Sequence, residues 1–146
     1  MDDLKFYFKK IHNQLETNFN KAYKKYGLTG TQLNVLMYLF HENNAKNTLT
    51  DISSHFSVKH TSVIHVLKLL EKKGLICKSA AQGNRTKPIL LTERGKQLVS
   101  EISQRSPLVD EIMFAGLSET EQLLLEKMLR QIYQNLESDA FKNISI

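Results

Sequence analysis

At 146 residues, with 41% hydrophobic and 24% charged side chains, the chain is long enough to bury a core and too apolar to stay disordered. No apolar run approaches the ~18 residues of a membrane span, and Met1-Asp2-Asp3 opens no secretion-type leader, so a cytoplasmic protein with no membrane partner is expected. The lone cysteine, Cys77, excludes an internal disulfide, and a net charge of +5 with a pI of about 9.3 favours an anionic partner.

Leu4, Phe8, Ile11, Leu15, Phe19, Ala22 and Tyr26 recur at intervals of three and four, which predicts one amphipathic helix of about six turns closed by Gly27. Thr29 and Gln32 are spaced as a capping box, and Leu28 and Leu33 as a hydrophobic staple. They open a second helix that runs through Leu36, Leu39 and Phe40 and stops at Asn43-Asn44. Thr50 is read as the cap of a short third helix with Ile52 and Phe56 inside. Ser57-Val58 then makes a tight connection to a fourth helix from Lys59 to Lys73, ended by Gly74. Its inner positions are Val63, Val66, Leu67 and Leu70. The other face carries His60, Thr61, Ile64, His65 and Lys68.

Leu75 to Lys78 and Lys87 to Leu91 read as two strands of a hairpin with Gly83-Asn84 at the tip. Pro88 suits only an edge strand. Thr92 caps the next helix, whose inner face is Leu98, Ile102, Val109 and Ile112 and which Pro107 must kink or interrupt. Gly116-Leu117 breaks it. Ser118 and Glu121 form a second capping box, opening a last helix with Leu125, Met128, Leu129, Ile132 and Leu136 inside.

Charge is not spread evenly. Between Lys59 and Lys96 nine basic residues face two acidic ones, Glu71 and Glu93, so this stretch carries +7 and the rest of the chain −2. A short helix, a tight turn, a second helix and a hairpin make a winged helix-turn-helix, and the basic excess falls on its second helix and wing. A helix fits the B-DNA major groove. There His60, Thr61, Ser62 and His65 can meet base edges, and Ile64 can meet a thymine methyl. Lys59, Lys68, Lys72 and Lys73 can meet phosphates, although Lys72 and Lys73 equally suit the C-terminal helix dipole. Arg85 at the wing tip can enter a minor groove, flanked by Lys78 and Lys87, or can be a solvated loop charge. Double-stranded DNA is the expected partner.

These pieces in this order resemble the multiple-antibiotic-resistance regulator (MarR) family. The telling segments are Leu70-Glu71-Lys72-Lys73-Gly74-Leu75-Ile76, Leu91-Thr92-Glu93-Arg94-Gly95 after the wing, and Gly116-Leu117-Ser118. The resemblance implies a mostly α fold with a small β-hairpin wing, in one domain, 1–146. Residues 29–92 would form the DNA-binding core, and 2–27 with 93–138 the N- and C-terminal dimerisation helices. It further implies a homodimeric repressor on a pseudo-palindrome, released by a small aromatic ligand. The neighbourhood for such a ligand would include His12, Met37, Tyr38 and His41, residues that read equally well as packing and surface positions. The family pattern places Asp two residues before the wing arginine. Gly83 stands there, which implies a looser wing tip.

Other readings are weighed on the same residues. Redox-sensing relatives carry a cysteine in the first helix. This chain has none there, and Cys77 reads as a small buried hydrophobe. Metal-sensing relatives use histidines after the wing, but Thr92 to Ala115 holds none, so no metal and no cofactor are expected. No phosphate-binding glycine loop or nucleophile motif points to an enzyme. A winged helix that binds a protein partner is the remaining alternative.

Overall fold

The computed structural model describes residues 3–42, 46–79 and 87–144. Its elements run α1 (Leu4–Tyr23), a 3-10 turn (Lys24–Tyr26), α2 (Gly30–Glu42), α3 (Leu49–Phe56), α4 (His60–Lys72), β1 (Ile76–Lys78), β2 (Ile89–Leu91), α5 (Glu93–Ser103), α6 (Ser106–Met113), α7 (Glu119–Glu137) and α8 (Asp139–Lys142). They fall into two compact units that divide between Ser103 and Gln104.

In the first unit, Asp3 caps α1 by accepting from the Lys5 amide at 3.0 Å. The expected stripe is present, but the α-helix stops at Tyr23. A 3-10 turn carries the chain to Gly27, whose φ of +70° is the left-handed conformation that glycine adopts without steric cost. The stripe is used unevenly. Leu15, Phe19, Tyr23 and Tyr26 are half-buried, while Leu4, Phe8 and Ile11 are exposed.

Thr29 and Gln32 exchange side-chain bonds with each other's amides at 3.2 and 3.3 Å, the expected capping box of α2. Asn20 of α1 adds its carboxamide oxygen to the Gly30 amide, so the first helix helps cap the second. The expected stop at Asn43-Asn44 lies outside the described residues.

The cap of α3 is a correction. Thr48, not Thr50, holds it, and Asp51 closes a full capping box. Ser57, in the left-handed region at φ 54°, turns the chain out of α3. Gly74, at φ +72°, turns it out of α4.

The strands are shorter than the sequence suggested. They pair antiparallel as Ile76 with Leu91, Cys77 with Leu90 and Lys78 with Ile89. Pro88 lies just outside β2, where its carbonyl accepts from the Ser79 amide at 2.8 Å and its missing N–H costs nothing. The hairpin tip, Gly83-Asn84, lies outside the described residues. Cys77 is a second correction: it is exposed, not buried. In a two-stranded sheet with one open face, the strand side opposite Ile76 meets solvent.

The core of this unit gathers Leu28, Leu33, Leu36 and Leu39 with Ile52, Val63, Leu67, Leu70, Ile76, Ile89, Val99 and Ile102. Burial at ~1.5–3 kcal/mol per large apolar side chain fixes α4 and the hairpin on α2. Thr92 joins α5 to β1 by donating to the Gly74 carbonyl at 2.6 Å and accepting from the Gly95 amide at 3.1 Å. Gly95 is required there: a Cβ on it would stand 2.1 Å from the Leu75 carbonyl oxygen.

The second unit begins after the interruption expected at Pro107, which takes a first-turn position of α6 where its missing N–H is tolerated. Gly116, at φ +86°, breaks the chain before α7. Ser118 and Glu121 form the expected capping box, at 2.7 and 3.1 Å. Ile112, expected on an inner face, is 70% exposed. With it Leu123, Leu124, Met128, Leu129, Ile132, Tyr133 and Leu136 leave α6 and α7 with an apolar surface open to solvent.

Candidate nucleic-acid interface

Helix α4 buries Val63, Leu67 and Leu70 and half-buries Val66. That orientation exposes His60, Thr61, Ser62, Ile64, His65 and Lys68, the expected reading face, along one side. Ile64 is 37% exposed. The N-terminus of the helix is also open. Lys59 stands at the cap with no side-chain hydrogen bond, and the first turn holds no acidic residue. Uncapped N–H groups beside a lysine are a favourable place for a phosphate.

The base of the wing comes round to the same face. Lys68 of α4, Lys78 of β1 and Lys87 before β2 line one groove of about 150 Å³, floored by Leu49, Ile64, Leu67 and Ile89. Three cations from separate elements thus converge beside the reading face, with no acidic side chain in the lining. Arg85 lies outside the described residues.

A buried tie that the sequence did not reveal holds the wing to this helix pair. Asn47 donates from its side-chain amide to the Ile89 carbonyl at 3.1 Å, and the Ile89 amide donates to the Asn47 carbonyl at 2.9 Å. Asn47 is 5% exposed. Its place just before the α3 cap was the available signal.

Lys73, at the C-terminal cap of α4, is engaged within the fold. Its ammonium donates to Gln32 Oε1 at 2.8 Å and to the Gly27 carbonyl. Lys72 remains exposed.

The four ligand candidates have different surroundings. Tyr38 is core: its hydroxyl donates to the Lys46 carbonyl at 2.6 Å, and its ring lies 4.5 Å from that of His55. Burial, with the nearby charges of Glu42 and Asp51, raises its phenol above the ordinary tyrosine value. Met37 packs half-buried against the core. His12 reaches Glu16 on its own helix at 3.9 Å, and the exposed His41 lies against Phe40. Among the described residues, no three of His, Cys, Asp and Glu are grouped as metal ligands would be. No helix among them is long and apolar enough to cross a membrane.

A family model described as transcriptional regulator SarA/Rot matches residues 17–102, from the second half of α1 to the end of α5. The chain belongs to the SarA/Rot family of transcriptional regulators. This SarA/Rot protein is also 31% identical to the transcription regulator MarR of Oenococcus oeni, over 90% of its own length and 99% of that chain, with a TM-score of 0.77. That places it among the MarR-type winged-helix regulators, as its motif order implied. It is 24% identical over 139 residues to the HTH-type transcriptional repressor IacR of Pseudomonas putida, covering 94% of this chain and 82% of that one. Its fold superposes on S. aureus MepR in a DNA complex with a TM-score of 0.84, at 22% identity, over 92% of this chain and 97% of that one.

Proposed function

We propose that two copies of this chain bind double-stranded DNA as a repressor, each laying α4 in the major groove. The observation that carries the reading is the convergence of Lys68, Lys78 and Lys87 beside the open face of α4. In this reading Thr61, Ser62, His60 and His65 meet base edges and Ile64 meets a thymine methyl. Lys59, Lys68, Lys78 and Lys87 hold phosphates. Arg85 reaches an adjacent minor groove. The IacR and MarR relatives, a repressor and a transcription regulator, support the assignment.

Pairing is supported by the exposed large apolar side chains of α1 and, in the second unit, by those of α6 and α7, the kind of surface that marks an interaction site. A two-fold pair would read a pseudo-palindrome. The test is selection from a random duplex pool, followed by stoichiometry of the selected complex. An inverted repeat bound by two chains is expected. Enrichment of an asymmetric site with one chain bound would overturn the dimeric reading, and absence of enrichment would favour a protein-binding winged helix.

A further inference from the structure

We propose that Lys73 is a positioning residue that ties the pose of the reading helix to the corner between α1 and α2. It rests on the reading of α4 as the DNA-contacting helix. The geometry is a junction of three elements. Lys73 stands at the C-terminal cap of α4, half-buried where its neighbour Lys72 is exposed. Its ammonium donates to the Gly27 carbonyl, at the left-handed residue that ends the 3-10 turn after α1, and to Gln32 Oε1 in the first turn of α2.

Gln32 is 5% exposed, and the same oxygen accepts from the Thr29 amide, so the α2 capping box and the α4 terminus share one acceptor. From the other side Arg94 of α5 donates to the Lys73 carbonyl at 3.2 Å, and Thr92 to the Gly74 carbonyl. The end of α4 is therefore gripped by α5 through its backbone and by the α1–α2 corner through one charged side chain. A charged donor on a buried amide oxygen is a strong, directional contact. A shift of the α1–α2 corner is transmitted to α4 through it, and α1 carries the exposed stripe offered for pairing.

Two of the three ammonium N–H donors of Lys73 are held by protein oxygens, which fixes the group at this corner. Lys73 therefore acts on DNA recognition through the angle of α4, which sets the base contacts and leaves the non-specific term untouched.

The test compares wild type, Lys73→Met and Lys73→Arg by amide hydrogen exchange and by anisotropy on a selected duplex and an unrelated one across a salt series. Lys73→Met keeps the aliphatic stem. It is expected to speed exchange in Leu28–Leu33 and the last turn of α4, and to weaken selected-duplex binding about tenfold. Binding to the unrelated duplex and the salt slope stay unchanged, and Lys73→Arg restores most of the loss. A salt slope lower by about one charge, with equal loss on both duplexes, would make Lys73 a phosphate contact. Lower thermal stability with discrimination intact would make it merely structural. Wild type binding neither duplex would reject the DNA reading itself, while the exchange data would still decide whether the tie exists.

Discussion

Asp51 lies three residues after Thr48 and accepts from both its hydroxyl, at 2.7 Å, and its amide, at 3.1 Å. Those bonds, with help from the charge of Lys46 and against a small cost of burial, hold its carboxyl below the ordinary carboxylate value. A depressed carboxylate stabilises the fold above its unfolded pKa of about 3.9, and the contribution is lost as pH falls through the folded value. Asp51→Ala should therefore cost about 1 kcal/mol at neutral pH, with the penalty shrinking in acid. Chemical denaturation at both pH values checks it, and an equal penalty at each would contradict the assignment. Gly95→Ala pushes a Cβ against the Leu75 backbone and should cost about 2 kcal/mol or more, read as a lower denaturation midpoint. A neutral effect would mean that α5 can slide on β1. The residue scale is also where the sequence was least legible. Thr48 and Thr50 are both residues that can cap a helix, and only Asp51 three places after the former distinguishes them. Asn47 finds its partner 42 residues away, a separation that no local pattern reports.

Elements were more legible, because periodicity and caps are local. The inner positions Val63, Leu67 and Leu70 follow from 3.6-residue spacing, and once they are buried the exposed face of α4 is fixed. The strands were less so. Cys77 reads as buried by its residue type, yet it stands opposite the buried Ile76 on the open side of the strand, so residue type alone misplaced it. The groove joining Lys68, Lys78 and Lys87 depends on how the wing folds against α4, which sequence spacing does not give. Replacing any of the three by Ala should lower the salt slope of DNA binding by about one charge, with similar loss on all sequences. Thr61→Ala or His65→Ala should instead change sequence preference while sparing non-specific affinity. Competition anisotropy separates the two behaviours, and uniform losses for Thr61 and His65 would remove them as readers.

For the whole molecule, the order helix, capped helix, helix-turn-helix, hairpin and two further helical stretches was visible from apolar periodicity, caps and glycines. What the sequence could not show is how much of the α1 stripe is left open in the first unit, and how much of the apolar face of α7 in the second. Leu124→Glu with Met128→Glu places two charges on that surface. It should shift sedimentation toward the monomer and abolish binding to an inverted repeat, while the first unit keeps its fold. Unchanged sedimentation would mean that pairing uses another surface.

In the proposed function the face formed by α4 and the wing base binds DNA through its cations. Anisotropy of a selected duplex across a salt series, for wild type and for Lys68→Ala/Lys78→Ala/Lys87→Ala together, tests it most directly. A steep wild-type slope that falls by about three charges in the triple variant is the result predicted. A slope identical in the two proteins would contradict the assignment and move the interface elsewhere on the molecule.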